Sequence, residues 1–296
     1  MARLFGEDIA RFLGHPLRGS SLEVQAPADL EECGPGSLVW VKSFRDDRLA
    51  LLENRLPALA ICDPETAART TVPTMASPNP RLDFVRALYQ YFTTEEPAAI
   101  HPTALIEPGA TVGRDVSLGA YARVGAGVSI GDGCRIGSGV ALEGAVELGR
   151  RCVVKANSVL GGQGFGFEYD DDGTPLHFPH VGRIVLEDDV WLGACTTVER
   201  ATLGVTLLCA GVKVDDLVQV GHNVTVGRNT LIMANTVVCG GARIGEHCWI
   251  APNSVIKEKV CVGDRVTVGL GAVVLKDVEE GSTVAGVPAK PMLRRT

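Results

Sequence analysis

The sequence is poor in aromatic side chains. Only 5% of its 296 residues are Phe, Trp or Tyr, and only four are Met. A core with so few rings is filled by aliphatics, which disfavours bulky-core folds such as those of hydrolases. Long apolar runs are missing too. No stretch approaches the ~18 uninterrupted apolar residues of a membrane-spanning helix. The N-terminus, MARLFGEDIARFLG, has no apolar h-region and no small-residue cleavage site. It does not read as a secretory signal, and a cytoplasmic location is expected. Positive charge is in deficit: 28 Lys and Arg against 35 Asp and Glu leave −7. That excludes a protein whose main business is coating nucleic acid. The nine cysteines are odd in number and lack CxxC or Cys…His ligand spacing. Reduced thiols and no metal are therefore expected. Cys195, Cys209, Cys239 and Cys261 read as buried thiols standing where aliphatics would.

Glycine is abundant: 35 residues, about 12% against a usual ~7%. Its distribution follows a repeat. Steps of six from Ile100 meet Ile106, Val112, Leu118, Val124 and Ile130 and continue to Leu160, every one aliphatic. Steps of six from Leu208 run through Val214, Val220, Val226, Ile232 and Val238 to Val274, again all aliphatic. Leu186, Leu192 and Val198 form a short run between them. Neither a helix nor an ordinary strand repeats every six residues. Short strands joined by sharp corners do, with three sides closing a triangular coil of ~18 residues and each aliphatic pointing inward. Glycines following the aliphatics relieve the corners, by positive φ or by close approach. The pattern resembles the left-handed parallel β-helix over about residues 100–285, the handedness coming from that resemblance. The fold class is thus mainly β. Residues 161–185 (GGQGFGFEYDDDGTPLHFPHVGRIV) break the register. Such an insertion is tolerated only as an external loop, and its aromatics and histidines make it a substrate-loop candidate. Between Val198 and Leu208 the step is ten residues rather than twelve, which reads as a two-residue shortening at a corner.

Residues 1–97 lack the repeat and read as a small α/β domain. The runs SLVWVK and LPALAICD suggest strands. PRLDFVRALYQYF suggests a helix with Leu82, Val85, Leu88 and Phe92 on one apolar face. The β-helix domain covers 98–285, and 286–296 is a short basic tail.

In VQVGHNVTVG, His222 follows the inward Val220 by two residues, which places it outward at a corner. An exposed imidazole there is a general-base candidate. One coil on stand Gly240 and Gly241, with no side chain to obstruct a substrate and a backbone N–H able to hold an oxyanion. Asp215 is a candidate to orient the ring. His177 and His180, near Phe165 and Phe167, are candidates for sugar or pyrophosphate contact. His-x-x-His without a further ligand does not make a metal site. GQGFGF is no dinucleotide fingerprint, lacking the strand-to-helix context.

GGQGFGF (161–167), GACTTVERATLG (193–204) and VDDLVQVGHNVTVGRNT (214–230) together resemble the UDP-3-O-(3-hydroxyacyl)glucosamine N-acyltransferases of lipid A synthesis. GSLVWVKSFRDDRLALL (36–52) is similar to that family's uridine-binding domain. The resemblance implies a homotrimer with active sites between neighbouring prisms. It implies an acyl-carrier-protein thioester as donor, a UDP-linked amino sugar as acceptor and no tightly bound cofactor. His222 matches the base and Gly240 the oxyanion-holding backbone. Asn223 lies beside them as a substrate contact. Trp40 matches a uracil-stacking aromatic, with Phe44 as the second ring at a shorter spacing than the family's.

Two departures stand out. Lys259 replaces the family's second His, two coils beyond the base; it reads either as an ammonium stabilising negative charge or as a solvated lysine. His247 is either a second polar cleft residue or a corner histidine. The C-terminus, VAGVPAKPMLRR, lacks the family's basic helix and resembles acetyl-CoA-using sugar N-acetyltransferases of the same fold. Lys290, Arg294 and Arg295 would then meet the CoA phosphates. The alternatives are therefore a CoA-dependent nucleotide-sugar N-acyltransferase for surface polysaccharide and a non-catalytic trimeric binding module.

Overall fold

The computed structural model describes residues 3–94 and 96–292. The chain divides into two compact units, residues 1–96 and 97–296.

In the first unit three parallel strands, Ser37–Val41, Leu59–Cys62 and Thr74–Ala76, form the centre of a five-stranded sheet. Leu17–Arg18 pairs antiparallel at one edge and Ala26–Pro27 parallel at the other. Successive side chains of a strand face opposite ways, and both faces here are covered. Leu38, Leu59 and Ile61 pack into one apolar cluster with Ile9 and Ala87, while Val39, Ala60 and Cys62 pack into another with Leu52 and Ala67. Helix Pro80–Tyr91 does not bury the face expected from its sequence: Pro80, Asp83 and Ala87 are buried, whereas Leu82 and Val85 are exposed. The reason is polar. Asp83 Oδ2 accepts Ser77 Oγ at 2.6 Å and lies 2.9 Å from His15 Nε2, and Oδ1 accepts from Arg86 at 3.0 Å. That hub turns the helix.

The second unit is a triangular parallel β-helix whose three walls are sheets of ten, nine and eight strands. Rungs pair in register with the coil 18 residues on, as Leu118 with Ile136, Val124 with Leu142 and Val220 with Val238. Every rung from Leu118 to Val274 is buried. Each contributes roughly the 1.5–3 kcal/mol of a fully buried aliphatic. The first rungs differ: Ile100 and Ile106 stay exposed because no coil precedes them.

The glycines after the rungs serve close approach rather than positive φ; a Cβ on Gly131 would lie 2.5 Å from the Gly149 carbonyl oxygen. Left-handed φ falls at other corner positions, often on asparagines such as Asn157, Asn223 and Asn235, which tolerate that conformation well. The cysteine expectation is corrected as well. Cys195 and Cys261 are exposed, Cys209 and Cys239 are half-buried, and the inward thiols of the β-helix are Cys134, Cys152 and Cys248; all nine are free.

Two coils are lengthened. Leu148 pairs with Leu186, 38 residues on, so one coil carries 20 extra residues. These include an antiparallel hairpin, Phe167–Tyr169 with Pro175–His177. Leu186 pairs with Leu208, 22 residues on, so the next coil carries four extra residues. The expected two-residue shortening is therefore a four-residue insertion, because 198 to 208 spans one side of the triangle rather than two. At the C-terminal end the coil tightens, Val268 pairing with Val284, and Lys290–Pro291 folds back antiparallel on Thr283–Ala285.

Candidate active site

The two insertions lie on consecutive coils and bond to each other. Val181 N–H donates to the Thr202 carbonyl at 2.9 Å, Gly182 N–H to that of Ala201 at 3.0 Å, and Arg200 Nε to that of Gly161 at 2.6 Å. Together they flank His222.

His222 follows strand Gln219–Val220 at a corner, half-exposed, as the sequence indicated. Its ring is fixed through Asn223. Asn223 Nδ2 donates to the Leu203 carbonyl at 2.7 Å, which sets the orientation of the amide. Oδ1 must then accept, and it does so from Thr202 N–H at 3.1 Å and Thr202 Oγ1 at 2.8 Å. His222 Nδ1, 3.0 Å from the same oxygen, therefore carries the proton. Nε2 is left with its lone pair, the form a general base needs. Asn223 thus holds the base rather than a substrate. Asp215 does not: it lies exposed at a different corner of the same chain, where its Oδ1 accepts the Asp216 N–H at 2.8 Å.

Gly240 stacks under the ring. A Cβ there would lie 2.5 Å from His222 Nε2 and 2.7 Å from Cε1, so only glycine leaves the ring this position. Gly241 N–H donates to the His222 carbonyl at 2.7 Å and Lys259 N–H to that of Gly240 at 3.1 Å. The Gly240 N–H has no acceptor among the described residues. A free amide hydrogen beside an unprotonated imidazole nitrogen can receive a developing oxyanion. Cys239, next in the chain, is half-buried; burial pushes its thiol up, with Glu258 and Glu199 adding to the effect. A protonated thiol is a poor nucleophile, so covalent cysteine catalysis has no support here.

The hairpin insertion reaches the base through a row of rings. Phe165 and Phe167 have centroids 4.9 Å apart, Phe167 and His177 5.2 Å, His177 and His180 5.9 Å, and His180 and His222 5.1 Å. Phe165 is fully solvated at the outer end, and His180 is 2% exposed at the inner end. His180 contacts the base instead of standing open to a sugar or pyrophosphate. Lys259 is exposed in the row Asn223, Gly241, Lys259, where a Gly241 Cβ would meet its Cγ at 3.3 Å. His247 follows Arg243–Ile244 at another corner, so one chain does not bring it to His222. Lys290 is exposed in the terminal hairpin, and Arg294 and Arg295 lie outside the described residues. Among the described residues no group of His, Cys, Asp and Glu is arranged to hold a metal ion, and no helix is long and apolar enough to cross a membrane.

In the first unit Trp40 lines a cavity of about 570 Å³ whose walls carry the cations Lys42, Arg45 and Arg48 and the acids Asp29, Glu31, Glu32 and Asp47, with Arg45 bound to Asp47 at 2.9 Å. Phe44 is not among its walls; the Arg69 guanidinium covers its ring at 4.3 Å.

Two hexapeptide family models match the second unit. The bacterial transferase hexapeptide model matches 127–162 and 241–276, and the hexapeptide repeat of succinyl-transferase matches 109–144 and 223–258. A UDP-3-O-acylglucosamine N-acyltransferase from Methylococcus capsulatus is 32% identical over 90% of this chain and 82% of its own. One from Delftia acidovorans is 33% identical over 97% and 87%. The chain belongs to the UDP-3-O-acylglucosamine N-acyltransferase family. It is an acyltransferase of lipid A synthesis. Solved structures add the fold. UDP-N-acetylglucosamine acyltransferases from Campylobacter jejuni and Moraxella catarrhalis align with TM-scores of 0.58 and 0.59 at 19% and 24% identity. They cover 66% and 65% of this chain and 74% and 73% of theirs. The architecture is the left-handed parallel β-helix.

The site residues that sequence reasoning missed are Glu199, Thr202 and Leu203. The register break at 198–208 is their signal in the sequence, and it is a four-residue insertion.

Proposed function

We propose that the chain transfers an acyl group, a 3-hydroxyacyl chain, from a carrier-protein thioester to the amine of a UDP-linked glucosamine derivative. The observation that carries this reading is the pairing of an Nε2 lone pair on His222 with the acceptor-free N–H of Gly240. His222 Nε2 takes a proton from the sugar amine as its nitrogen attacks the thioester carbonyl. The Gly240 N–H holds the oxyanion of the tetrahedral intermediate. Collapse expels the thiolate of the 4'-phosphopantetheine arm, which takes up the proton from His222. No covalent enzyme intermediate and no bound cofactor enter the scheme. General-base help of this kind is worth ~10²–10⁴-fold.

The cavity at Trp40 is the proposed uridine nucleotide seat, with Lys42 and Arg48 as the proposed diphosphate contacts, while Arg45 is held by Asp47. Trimers with the cleft between protomers, in the cytoplasm, complete the proposal; nine free cysteines fit a reducing compartment. The test pairs UDP-3-O-acylglucosamine with hydroxyacyl-carrier protein and, separately, with hydroxyacyl- and acetyl-CoA. Turnover with the carrier-protein thioester supports the reading. Turnover confined to short acyl-CoA replaces the donor with CoA, the alternative that Lys290 and the terminal hairpin favour. No turnover with any of these thioesters overturns the proposed donor and acceptor.

A further inference from the structure

His222 has a carboxylate beside it, on the coil that the register break lengthens. Glu199 ends strand Thr197–Glu199, on the coil before His222. Its Oε2 accepts the His222 backbone N–H at 3.2 Å, and its Oε1 accepts from Gln219 Nε2 at 3.3 Å. On the other side stands His180. Its backbone N–H donates to Gln163 Oε1 at 3.1 Å and its Nδ1 to the Phe178 carbonyl at 2.9 Å. Nε2 therefore carries a lone pair, and it is buried with no hydrogen-bond partner among the described residues.

Gly164 explains how the two groups come together. A Cβ there would lie 2.6 Å from Glu199 Oε2 and 2.7 Å from His180 Nε2. Carboxylate and imidazole thus rest on one Cα, which only a glycine provides. The His180 ring then meets the His222 ring edge to face, at an interplanar angle of 81°. A buried lone pair without a donor is costly and asks for a reason. Here the reason is the ring's contact with the base.

We propose that Glu199 and His180 are positioning residues for His222. Glu199 fixes the backbone of the base and balances the positive charge its ring acquires on taking the amine's proton. His180, carried in by the long insertion, wedges the ring over Gly240. The inference rests on His222 being the base. The charged and titratable groups around the ring come from every neighbouring element. The hairpin insertion brings His177 and His180. The preceding coil brings Glu199, and Arg200 with its Nε engaged by the Gly161 carbonyl. The following coils bring Cys239 and Glu258, the latter 3.5 Å from Lys257 Nζ.

Glu199→Gln keeps an acceptor for the His222 N–H and removes the charge. In the 296-residue chain, kcat should fall at least tenfold, with KM for both substrates within twofold. Proton–nitrogen NMR of the substrate-free protein should show the His222 backbone amide proton shifted upfield in Glu199→Gln, since a neutral acceptor holds it more weakly than a carboxylate. Glu199→Asp, which keeps the charge, should recover much of the lost kcat. His180→Ala should also lower kcat, and the double variant Glu199→Gln/His180→Ala should lose less than the product of the two single losses, because both act through one ring. An unmoved His222 amide resonance in Glu199→Gln overturns the inference, as do double-variant losses that multiply. The amide shift needs no substrate, so it is read even if no thioester is turned over, an outcome that counts against the proposed function alone.

Discussion

Gly240→Ala isolates the geometry of the base from the stability of the fold. Gly240 is not in the left-handed region, so its backbone accepts alanine without strain. The added methyl would sit 2.5 Å from His222 Nε2, 2.7 Å from Cε1 and 3.0 Å from Cδ2. Ordinary contact needs about 3.4 Å or more, so the ring must retreat by about 1 Å. That retreat stretches the 3.0 Å bond to Asn223. Losing it costs about 0.5–1.5 kcal/mol, too little to unfold a prism with a continuous aliphatic core. A 1 Å misplacement of a reacting group costs on the order of 10²-fold in rate. Steady-state kinetics should therefore show kcat down about a hundredfold, with a thermal midpoint within a few degrees of wild type. Gly241→Ala is the counterpart. Its φ of +69° makes alanine strained, while its Cβ would meet Lys259 alone, Cγ at 3.3 Å and the backbone N at 4.0 Å. It should cost about 1–2 kcal/mol of stability and leave kcat within a few fold. A Gly240→Ala enzyme with wild-type kcat would refute the reasoning.

Three further outcomes are expected. Asn223→Ala removes the acceptor that holds the proton on His222 Nδ1; kcat should fall about 10–100-fold, and NMR should show a mixture of imidazole tautomers. Asp83 links to pH. Burial acts to raise its pKa, but hydrogen bonds from Ser77, His15 and Arg86 outweigh it and hold the carboxyl below the usual carboxylate range. A depressed folded pKa stabilises above the unfolded value of about 3.9 and is lost as pH falls through the folded one. The stability gap between wild type and Asp83→Asn, about 2–3 kcal/mol at pH 7, should accordingly shrink in denaturant titrations below about pH 4. Among the thiols, burial pushes Cys62 up to about 12, so alkylation of the native protein near pH 8 should label Cys195 and Cys261 and spare Cys62.

The β-helix was legible because a six-residue period has one simple geometric solution, and every rung from Leu118 to Val274 points inward as the repeat requires. The corner position of His222 and its stacking on Gly240 followed from that register. What surrounds His222 did not. Asp215 is near His222 in sequence, yet seven residues carry the chain to another corner. Glu199 stacks beside His222 because Val198 pairs with Val220, but a four-residue insertion makes the separation 23 residues, so a step of 18 misses it. The long insertion shows no period, so nothing in its order indicated that His180 would turn inward while Phe165 stayed in solvent. In the first unit the helical period of Leu82, Val85 and Leu88 was real, but the buried hydrogen-bond hub of Asp83 decided which face packs.

His222→Ala, assayed beside wild type with UDP-3-O-acylglucosamine and a hydroxyacyl-carrier-protein donor, tests the central claim most directly. The expected loss in kcat is about 10²-fold or more, with unchanged circular dichroism and unchanged oligomer size. A His222→Ala protein that turns over at the wild-type rate would contradict it.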